Sequence, residues 1–210
     1  EKTGKPFISV PGAAGAHSWQ PMSFSPNTGL VYIPTNIAAF PYMAEKNWKA
    51  SDIGFQTGLD GATVAMPAIK EARDGAMAAS TGSLIAWDPV KQKAAWTVAY
   101  KTPWNGGTLA TAGNLVFQGD ADGNFNAYSA DKGQKLWSFG AQSGIIAAPM
   151  SYAIDGEQYV AIMVGWGGVW DVATGILAKK GGASHNISRL LVFKLGATGA
   201  LAPMPKLAEM

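Results

Sequence analysis

The sequence predicts an all-β fold that is part of a β-propeller, and a repeat and the composition carry that prediction. The segments AWDPVKQKAAW (86–96) and AYSADKGQKLW (127–137) begin alike and each ends in tryptophan, at an offset of 41 residues. A repeat of about 40–45 residues is typical of a propeller blade of four strands. The chain is 48% hydrophobic and only 14% charged, with 26 Gly and 12 Pro, which suits short strands joined by turns.

Three repeat units can be placed along the chain from the turns between their strands. Turn-forming pairs such as Asp88-Pro89, Gly113-Asn114 and Asp155-Gly156 stand where two strands must reverse. The predicted strands are residues 21–25, 30–34, 83–88 and 95–99 in the first unit, residues 107–111, 115–118, 124–129 and 135–139 in the second, and residues 147–153, 158–165 and 189–194 in the third. Residues 36–81 form an insertion in the first unit, within which residues 68–78 suggest a short helical turn.

These units define the expected domain organisation. Residues 1–200 are expected to form a partial propeller of about three four-stranded blades, and residues 201–210 to begin a linker. Three blades are too few to close a ring, because propellers have typically four to eight, and an open stack leaves a blade face and sheet edges bare. We therefore expect the chain to be part of a larger propeller or to associate with the rest of one.

Several classes of function are excluded or disfavoured by residue usage. The absence of cysteine excludes disulfides, thiolate metal sites and cysteine-attached haem within this chain. A net charge of +2 with scattered Lys and Arg does not predict a nucleic-acid surface. No apolar run reaches the roughly 18 residues that a membrane span requires. Asp120 and Asp122 lie in a turn that lacks the downstream Glu of a calcium-binding EF-hand loop, so we interpret them as turn residues.

The tryptophans fall into two groups. Trp96 and Trp137 close the repeated segments at the same register, so packing between blades is favoured over a cofactor platform or a partner-binding hot spot. Replacing Trp137 with alanine is accordingly expected to cost about 3–5 kcal/mol. Trp19, Trp104 and Trp166 lie off the repeat, beside glycine or hydrogen-bonding residues, where a central channel would open. The glycines could let the backbone approach a flat ligand, or could serve tight packing round the axis.

Four stretches together resemble one family. They are GAHSWQPMSFSPNTGLVYIP (15–34), LIAWDPVKQKAAW (84–96), WNGGTLATAGNLVFQGDADGNFNAYSADKGQKLW (104–137) and QYVAIMVGWGGVW (158–170). In sequence and order they are similar to the pyrroloquinoline quinone-dependent alcohol dehydrogenases, especially the quinohaemoprotein type with a fused cytochrome. The two segments ending in Trp96 and Trp137 resemble the tryptophan docking motifs of that family. The likeness covers most of residues 11–195 and is weakest in the insertion.

The resemblance implies a fold, an activity and a set of partners. It implies the C-terminal half of an eight-bladed propeller in a periplasmic enzyme that oxidises alcohols with pyrroloquinoline quinone and passes electrons to haem c. By that resemblance the calcium ligands, the catalytic aspartate base and the vicinal disulfide ring belong to the N-terminal half of the propeller, outside this chain. The expected partners are therefore an alcohol, the N-terminal half and a cytochrome c domain or protein, with no catalytic residue and no metal ligand among these 210 residues.

The resemblance also implies a list of cofactor-binding residues. Ser18 stands where the family has an asparagine that contacts the quinone, so a direct hydrogen bond there is in doubt because the serine side chain is shorter. Trp19 follows it. The other positions that match are Trp104 and Asn105 in the WNGG segment, and Trp166, Gly167 and Val169 in the GWGGV loop. Four aromatic residues of the insertion, Phe40, Tyr42, Trp48 and Phe55, either narrow a substrate channel or bury the insertion on the propeller.

A non-enzymatic propeller for partner binding or envelope assembly is the alternative. Such a protein would keep the periodic tryptophans but would not need the two off-repeat clusters around Trp104 and Trp166. Both clusters are present, so the sequence favours the enzyme.

Overall fold

The structure is a computed structural model that describes residues 4–52, 56–166 and 186–204. The strands are β1 (Phe7–Ser9), β2 (Ser23–Ser25), β3 (Leu30–Ile37), β4 (Phe40–Tyr42), β5 (Thr81–Asp88), β6 (Lys93–Tyr100), β7 (Thr108–Thr111), β8 (Leu115–Gly119), β9 (Asn124–Ser129), β10 (Lys135–Gly140), β11 (Met150–Ile154), β12 (Glu157–Val164) and β13 (Arg189–Lys194), and the helices are α1 (Gly61–Val64) and α2 (Lys70–Ala79). Within this described part, neither helix is long and apolar enough to cross a membrane.

The strands form three successive antiparallel blades. The first blade has the order β2-β3-β5-β6, the second β7-β8-β9-β10 and the third β11-β12-β13. The all-β partial propeller predicted from the 41-residue repeat is thereby confirmed, with four strands in two blades and three in the described part of the third. The expected helical turn at residues 68–78 is the helix α2.

The core lies between the blades. One buried cluster joins the first blade to the second and consists of Leu30, Tyr32, Leu84, Ala86, Val116, Tyr128 and Ala130. A second cluster joins the second blade to the third and consists of Phe125, Ala141, Ile145, Val160, Ile162 and Val164. Alternate residues of each strand thus face a neighbouring sheet, which is how stacked sheets bury apolar area.

The two periodic tryptophans both contact the next blade, but to different extents. The ring of Trp96 lies 5.7 Å from the ring of Tyr32 in its own blade, and its indole N–H donates to the carbonyl of Ala130 in the second blade at 3.0 Å. Trp137 packs edge-on against Phe193 of the third blade at 5.2 Å and remains 39% exposed. The docking role is confirmed for Trp96, whereas a cost of 3–5 kcal/mol is too large for a ring as exposed as that of Trp137.

Prolines account for the main differences between predicted and observed strand boundaries. Expected strands at residues 21 and 147 begin only at Ser23 and Met150, after Pro21 and Pro149, which have no N–H to donate to a ladder. Pro34, by contrast, does not end β3. Its carbonyl accepts a hydrogen bond from His17 on the side of β3 away from β5. The nitrogen and the carbonyl of one strand residue face the same side, so the missing N–H of Pro34 removes no hydrogen bond between β3 and β5.

The insertion forms a small appendage to the first blade. β3 pairs with β5 as far as Ile37 and Thr81, so the excursion between the strands comprises residues 38–80. Within it β4 pairs with β1, an unpredicted two-stranded sheet in which the rings of Phe40 and Tyr42 meet at 4.9 Å. Trp48 is 47% exposed, and Phe55 lies outside the described residues.

Candidate functional site

Trp19 and Trp104 meet at one end of the first two blades. Each stands four residues before the first strand of its blade, since β2 begins at Ser23 and β7 at Thr108. These two strands lie side by side, and the Ser23 and Thr108 hydroxyls are 2.8 Å apart. The indole centroids are consequently only 5.8 Å apart, with the rings inclined by 64°. We call this pair of rings the aromatic corner.

The loop that carries Trp19 is attached to the free edge of β3. The Asn36 N–H donates to the carbonyl of Ala16 at 2.7 Å, and the Gly12 N–H donates to that of Ala38 at 2.7 Å. His17 Nδ1 lies 2.8 Å from the Pro34 carbonyl oxygen, which can only accept, so Nδ1 carries the proton. These bonds lead the chain to Trp19, which is 49% exposed at the open side of the corner.

Trp166 completes the group from the third blade. Its ring is buried with Ala121 and Ile146, and Trp104 packs against the same cluster. Ile146 stands four residues before β11, the position that Trp19 and Trp104 occupy in their blades. A Cβ atom at Gly144 would overlap the Trp166 ring, so glycine is required there for the ring to lie flat on the backbone.

The structure therefore brings three of the expected site tryptophans to one end of the blades. Ser18 is exposed beside Trp19. Gly167 and Val169, the other expected residues of the GWGGV loop, lie outside the described residues.

Asn105 faces the protein interior rather than the open end. It is 2% exposed, its Nδ2 donates to the carbonyl of Thr102 at 3.0 Å, and its Oδ1 accepts from the Ala121 N–H at 3.0 Å. Its carboxamide thus fastens the turn after Trp104 to the second blade. The geometry supports a structural role for Asn105, and its contact with a cofactor stays a prediction.

The glycine pair after Asn105 serves packing among three blades. A Cβ at Gly106 would overlap the Ala147 carbonyl oxygen, and one at Gly107 would lie 2.7 Å from Pro21 Cδ and 2.8 Å from Ala148 Cβ. Side-chain carbons do not approach other atoms so closely. Of the two interpretations left open by the sequence, tight packing is the one that these contacts support at Gly106 and Gly107.

A chain of buried hydrogen bonds reaches the same turn from the second blade. Tyr100 donates its hydroxyl proton to Gln118 Oε1 at 2.8 Å, so the Tyr128 hydroxyl, 3.0 Å away, donates to the Tyr100 oxygen. Gln118 Nε2 then donates to the Gly106 carbonyl at 2.7 Å. Burial raises the pKa of Tyr100 well above its ordinary value and raises that of Tyr128 to about 12, so both phenols stay protonated near neutrality.

This chain of bonds predicts a loss of stability at alkaline pH. A phenol whose pKa is higher in the folded than in the unfolded protein stabilises the fold below about pH 10, and the contribution is lost as the pH rises towards 12. Tyr100→Phe should flatten that decline and should cost about 1–2 kcal/mol at neutral pH, because Gln118 Oε1 loses its donor. Urea unfolding of both proteins across this range measures the effect. A steeper alkaline decline in the variant would contradict it.

Two buried side chains near the corner carry polar atoms that have no partner in the described part of the chain. Within that part, Gln20 is 1% exposed and neither its Oε1 nor its Nε2 has a hydrogen bond, and Nδ2 of Asn36, 2% exposed, is likewise unpaired. Buried amide groups without partners are costly. Their concentration beside Trp19 and Trp104 supports a site that receives further polar groups.

The carboxylates supply turns rather than a metal centre in the described part. Asp120, 4% exposed, accepts from the Asn124 N–H at 2.8 Å and from Asn126 Nδ2 at 2.9 Å, which supports its predicted turn role. Across residues 4–52, 56–166 and 186–204, no group of three or more His, Asp or Glu side chains could hold a metal ion.

Sequence reasoning missed two asparagines at this site. Asn36 accepts the Trp104 N–H at Oδ1, at 2.7 Å, and Asn186 accepts the Trp166 N–H at 2.8 Å. Their partners are 68 and 20 residues away, and no repeat or motif in the sequence connects them. Only Asn186, within the third unit, lies near enough in sequence for a local search to have found it.

Comparison with known proteins finds that the chain is similar to quinoproteins. A sequence family described as "PQQ: Glucose/ethanol/alcohol dehydrogenase, beta-propeller domain" matches residues 68–160. The chain is 51% identical over 199 residues to quinohemoprotein alcohol dehydrogenase ADH IIB of Pseudomonas putida, an alignment that covers 95% of this chain and 28% of that protein.

Solved structures agree with the sequence comparison. The quinohemoprotein alcohol dehydrogenase ADHIIG of Pseudomonas putida HK5 superimposes with a TM-score of 0.88 at 47% identity. The quinohemoprotein alcohol dehydrogenase of Comamonas testosteroni does so with a TM-score of 0.79 at 39% identity. Each comparison covers 98% of this chain and 30% of the other chain, so the present chain spans less than a third of the length of these relatives.

Proposed function

Because this chain is a homologue of one segment of the β-propeller of the quinohaemoprotein alcohol dehydrogenases, we propose that it forms one side of the cofactor site of an enzyme that oxidises alcohols with pyrroloquinoline quinone (PQQ). The observation that carries the proposal is the aromatic corner of Trp19 and Trp104, which the buried Trp166 cluster supports from the third blade. Two indoles held at an angle offer a wide apolar surface to a planar ring system.

The residues present fit such a cofactor on three grounds. The corner provides flat apolar faces, and the half-exposed ring of Trp19 leaves one of them accessible. The amide group of Gln20, which has no hydrogen-bond partner among the described residues, provides polar capacity close by. The Ser18 hydroxyl, exposed next to Trp19, can donate a hydrogen bond to a carbonyl or carboxylate. PQQ, when bound, supplies a two-electron acceptor for the conversion of an alcohol to an aldehyde or ketone.

The part of this chain in the reaction is to bind and orient. Trp19 and Trp104 would offer apolar faces to the ring system and Ser18 a hydroxyl to its polar groups, and Trp166, Gly167 and Val169 are the other residues that we propose to bind it. Asn105 and the Gly106-Gly107 pair fix the turn on which Trp104 stands. We assign no acid–base group and no calcium ligand to these residues. In this proposal, both come from the N-terminal half of the propeller.

The outer face of the third blade supports the presence of further blades. Its inner face packs on the second blade, yet apolar residues also cover the opposite face, among them Met150, Ile154, Met163, Leu190 and Val192, each about half exposed. A sheet that is apolar on both faces is typical of a sheet packed on both sides. We propose that further propeller blades cover this face, that a cytochrome c domain or protein accepts the electrons, and that the enzyme acts in the periplasm.

An exchange of segments tests the proposed function. Residues 4–204 would replace the matching segment of the Pseudomonas putida ADHIIG protein, to which this chain is 47% identical. We expect the chimaera, loaded with PQQ and calcium, to oxidise a primary alcohol with an artificial electron acceptor. A chimaera that folds but neither binds PQQ nor oxidises alcohol would contradict the proposal and would favour a non-enzymatic propeller scaffold.

Ser18 gives a prediction about cofactor affinity in the same chimaera. Ser18→Asn should tighten PQQ binding about fivefold, which corresponds to about 1 kcal/mol for one recovered neutral hydrogen bond. Ser18→Ala should change it little if water already bridges the gap, and Trp19→Ala should weaken it most because an apolar face is removed. Titration of the three apo-variants gives the order. Tight binding by Trp19→Ala together with no binding by Ser18→Ala would reverse our assignment.

A further inference from the structure

We propose that Asn36 and Asn186 are positioning residues, each of which sets the direction of one site tryptophan by accepting its main-chain N–H. The inference deepens the proposed function and rests on it only for the identity of the ligand. It concerns two side chains that would not themselves touch the cofactor. They act through Trp104 and Trp166.

Trp104 has an unusual backbone that needs an external support. Its φ is +67°, in the left-handed region that residues with a side chain rarely adopt. In this conformation its N–H points at Asn36 Oδ1 at 2.7 Å. Asn36 belongs to β3 of the first blade, whereas Trp104 precedes the second blade, so the bond fixes the direction of the indole relative to another sheet.

Asn36 is itself held in place and acts as an acceptor. It is 2% exposed, and its own N–H is bonded to the Ala16 carbonyl at 2.7 Å in the loop that leads to Trp19. Its Nδ2 has no partner among the residues that the structure describes, so the side-chain hydrogen bond seen there is made by the oxygen alone. One residue therefore ties both sides of the aromatic corner, Trp104 through its side chain and the Trp19 loop through its backbone.

The same arrangement recurs at Trp166. Asn186 Oδ1 accepts the Trp166 N–H at 2.8 Å, and Asn186 Nδ2 donates to the Trp166 carbonyl at 3.4 Å. Asn186 lies just before β13, while Trp166 follows β12. In both cases a carboxamide from a separate segment holds the peptide of a tryptophan, and the tryptophan ring lies in the group of apolar residues at the end of the blades.

Fluorine NMR of the full 210-residue chain labelled with 5-fluorotryptophan tests the inference without any cofactor. The resonances of Trp19, Trp96, Trp104 and Trp166 are assigned from single Trp→Phe variants. We expect Asn36→Leu, which has a similar shape but no acceptor, to displace the resonances of Trp104 and Trp19 while that of Trp96 stays in place. Asn186→Leu should displace mainly the resonance of Trp166, so each variant is the control for the other.

Conservative replacements separate positioning from mere packing. Asn36→Asp keeps the acceptor oxygen and the shape of the side chain, and burial favours its uncharged acid form, so it should retain the Trp104 resonance of the parent protein. A Trp104 resonance that moves in Asn36→Asp as much as in Asn36→Leu would overturn the inference, as would no movement in Asn36→Leu. If Asn36→Leu does not fold, the Asn36→Asp result still decides, because the acceptor hypothesis requires the Trp104 resonance to be unchanged.

Cofactor binding is measured separately in the chimaera. Asn36→Leu should weaken PQQ binding by about tenfold, the effect expected when one supporting hydrogen bond is lost, and Asn36→Asp should restore it. Fluorine spectra as predicted together with a chimaera that never binds PQQ would contradict the proposed function and leave the positioning role intact. PQQ binding that Asn36→Leu leaves unchanged would show that Asn36 does not position a cofactor-binding residue.

Discussion

Replacing Trp96 with alanine is expected to lower the free energy of unfolding by about 3–4 kcal/mol. The indole lies between the first two blades, with its ring 5.7 Å from that of Tyr32 and its N–H bonded to the Ala130 carbonyl at 3.0 Å. The ring packs directly on Gly133, where a Cβ would lie 2.6 Å from its Cε3 atom, so Gly133 itself has no side chain to fill the space. Both the apolar contact and the hydrogen bond are lost, and a cavity remains between two sheets.

Trp137→Ala provides the matched control for Trp96→Ala, at the same register 41 residues later. Its ring is 39% exposed, meets Phe125 and Phe193 edge-on, and makes no hydrogen bond among the described residues. We expect about half the cost, near 2 kcal/mol. Urea unfolding of the full chain compares the two variants. Equal costs, or a cost below about 1 kcal/mol for Trp96→Ala, would contradict the assigned role of Trp96 between the blades.

Gly106→Ala is expected to destabilise the protein by about 3 kcal/mol or to prevent folding. The added methyl group would overlap the Ala147 carbonyl oxygen and lie 3.1 Å from that of Ile145, both of which belong to the segment leading into the third blade. Backbone carbonyls cannot rotate aside as a flexible side chain can. The turn would have to shift. Two hydrogen bonds of Gly106 would then lengthen, the one that its carbonyl accepts from Gln118 Nε2 and the one that its N–H donates to the Gly119 carbonyl.

A glycine in the β7–β8 hairpin is the control for this substitution. A Cβ at Gly113 would meet only the Thr111 hydroxyl oxygen at 3.8 Å, which is an ordinary contact distance. Gly113→Ala should therefore leave the melting temperature nearly unchanged, whereas Gly106→Ala should lower it by about 10 °C. Similar melting temperatures for the two variants would show that the close approach of three blades at Gly106 is not what requires glycine there.

The sequence predicted the blades well because their signal is local and repeated. Turn residues such as Gly113-Asn114 locate β7, β8 and the strands that follow without any knowledge of long-range contacts. β1 and β4 were not predicted, because three-residue strands outside the repeat give no periodic signal. β3 continues through Pro34 because the nitrogen of Pro34 faces the Trp19 loop and not the paired strand β5. That orientation depends on the tertiary fold and cannot be read from the local sequence.

The site was predictable in its residue types but not in its connections. The resemblance identified Trp19, Trp104 and Trp166, and the structure brings them to one end of the blades. It could not identify the inward direction of Asn105, which depends on hydrogen bonds to Thr102 and to the Ala121 N–H. Nor could it show that Trp19 and Trp104 occupy equivalent positions, because the insertion in the first unit masks the repeat.

The central claim is that the aromatic corner forms a wall of the PQQ site, and a PQQ titration tests it most directly. The apo-chimaera would be titrated beside its Trp104→Ala and Trp137→Ala variants, with calcium present throughout. We predict that Trp104→Ala weakens PQQ binding by at least about tenfold, because a flat apolar face is lost, while Trp137→Ala leaves the affinity unchanged. Equal PQQ affinities for the parent chimaera and Trp104→Ala would contradict the assignment of the corner to the cofactor.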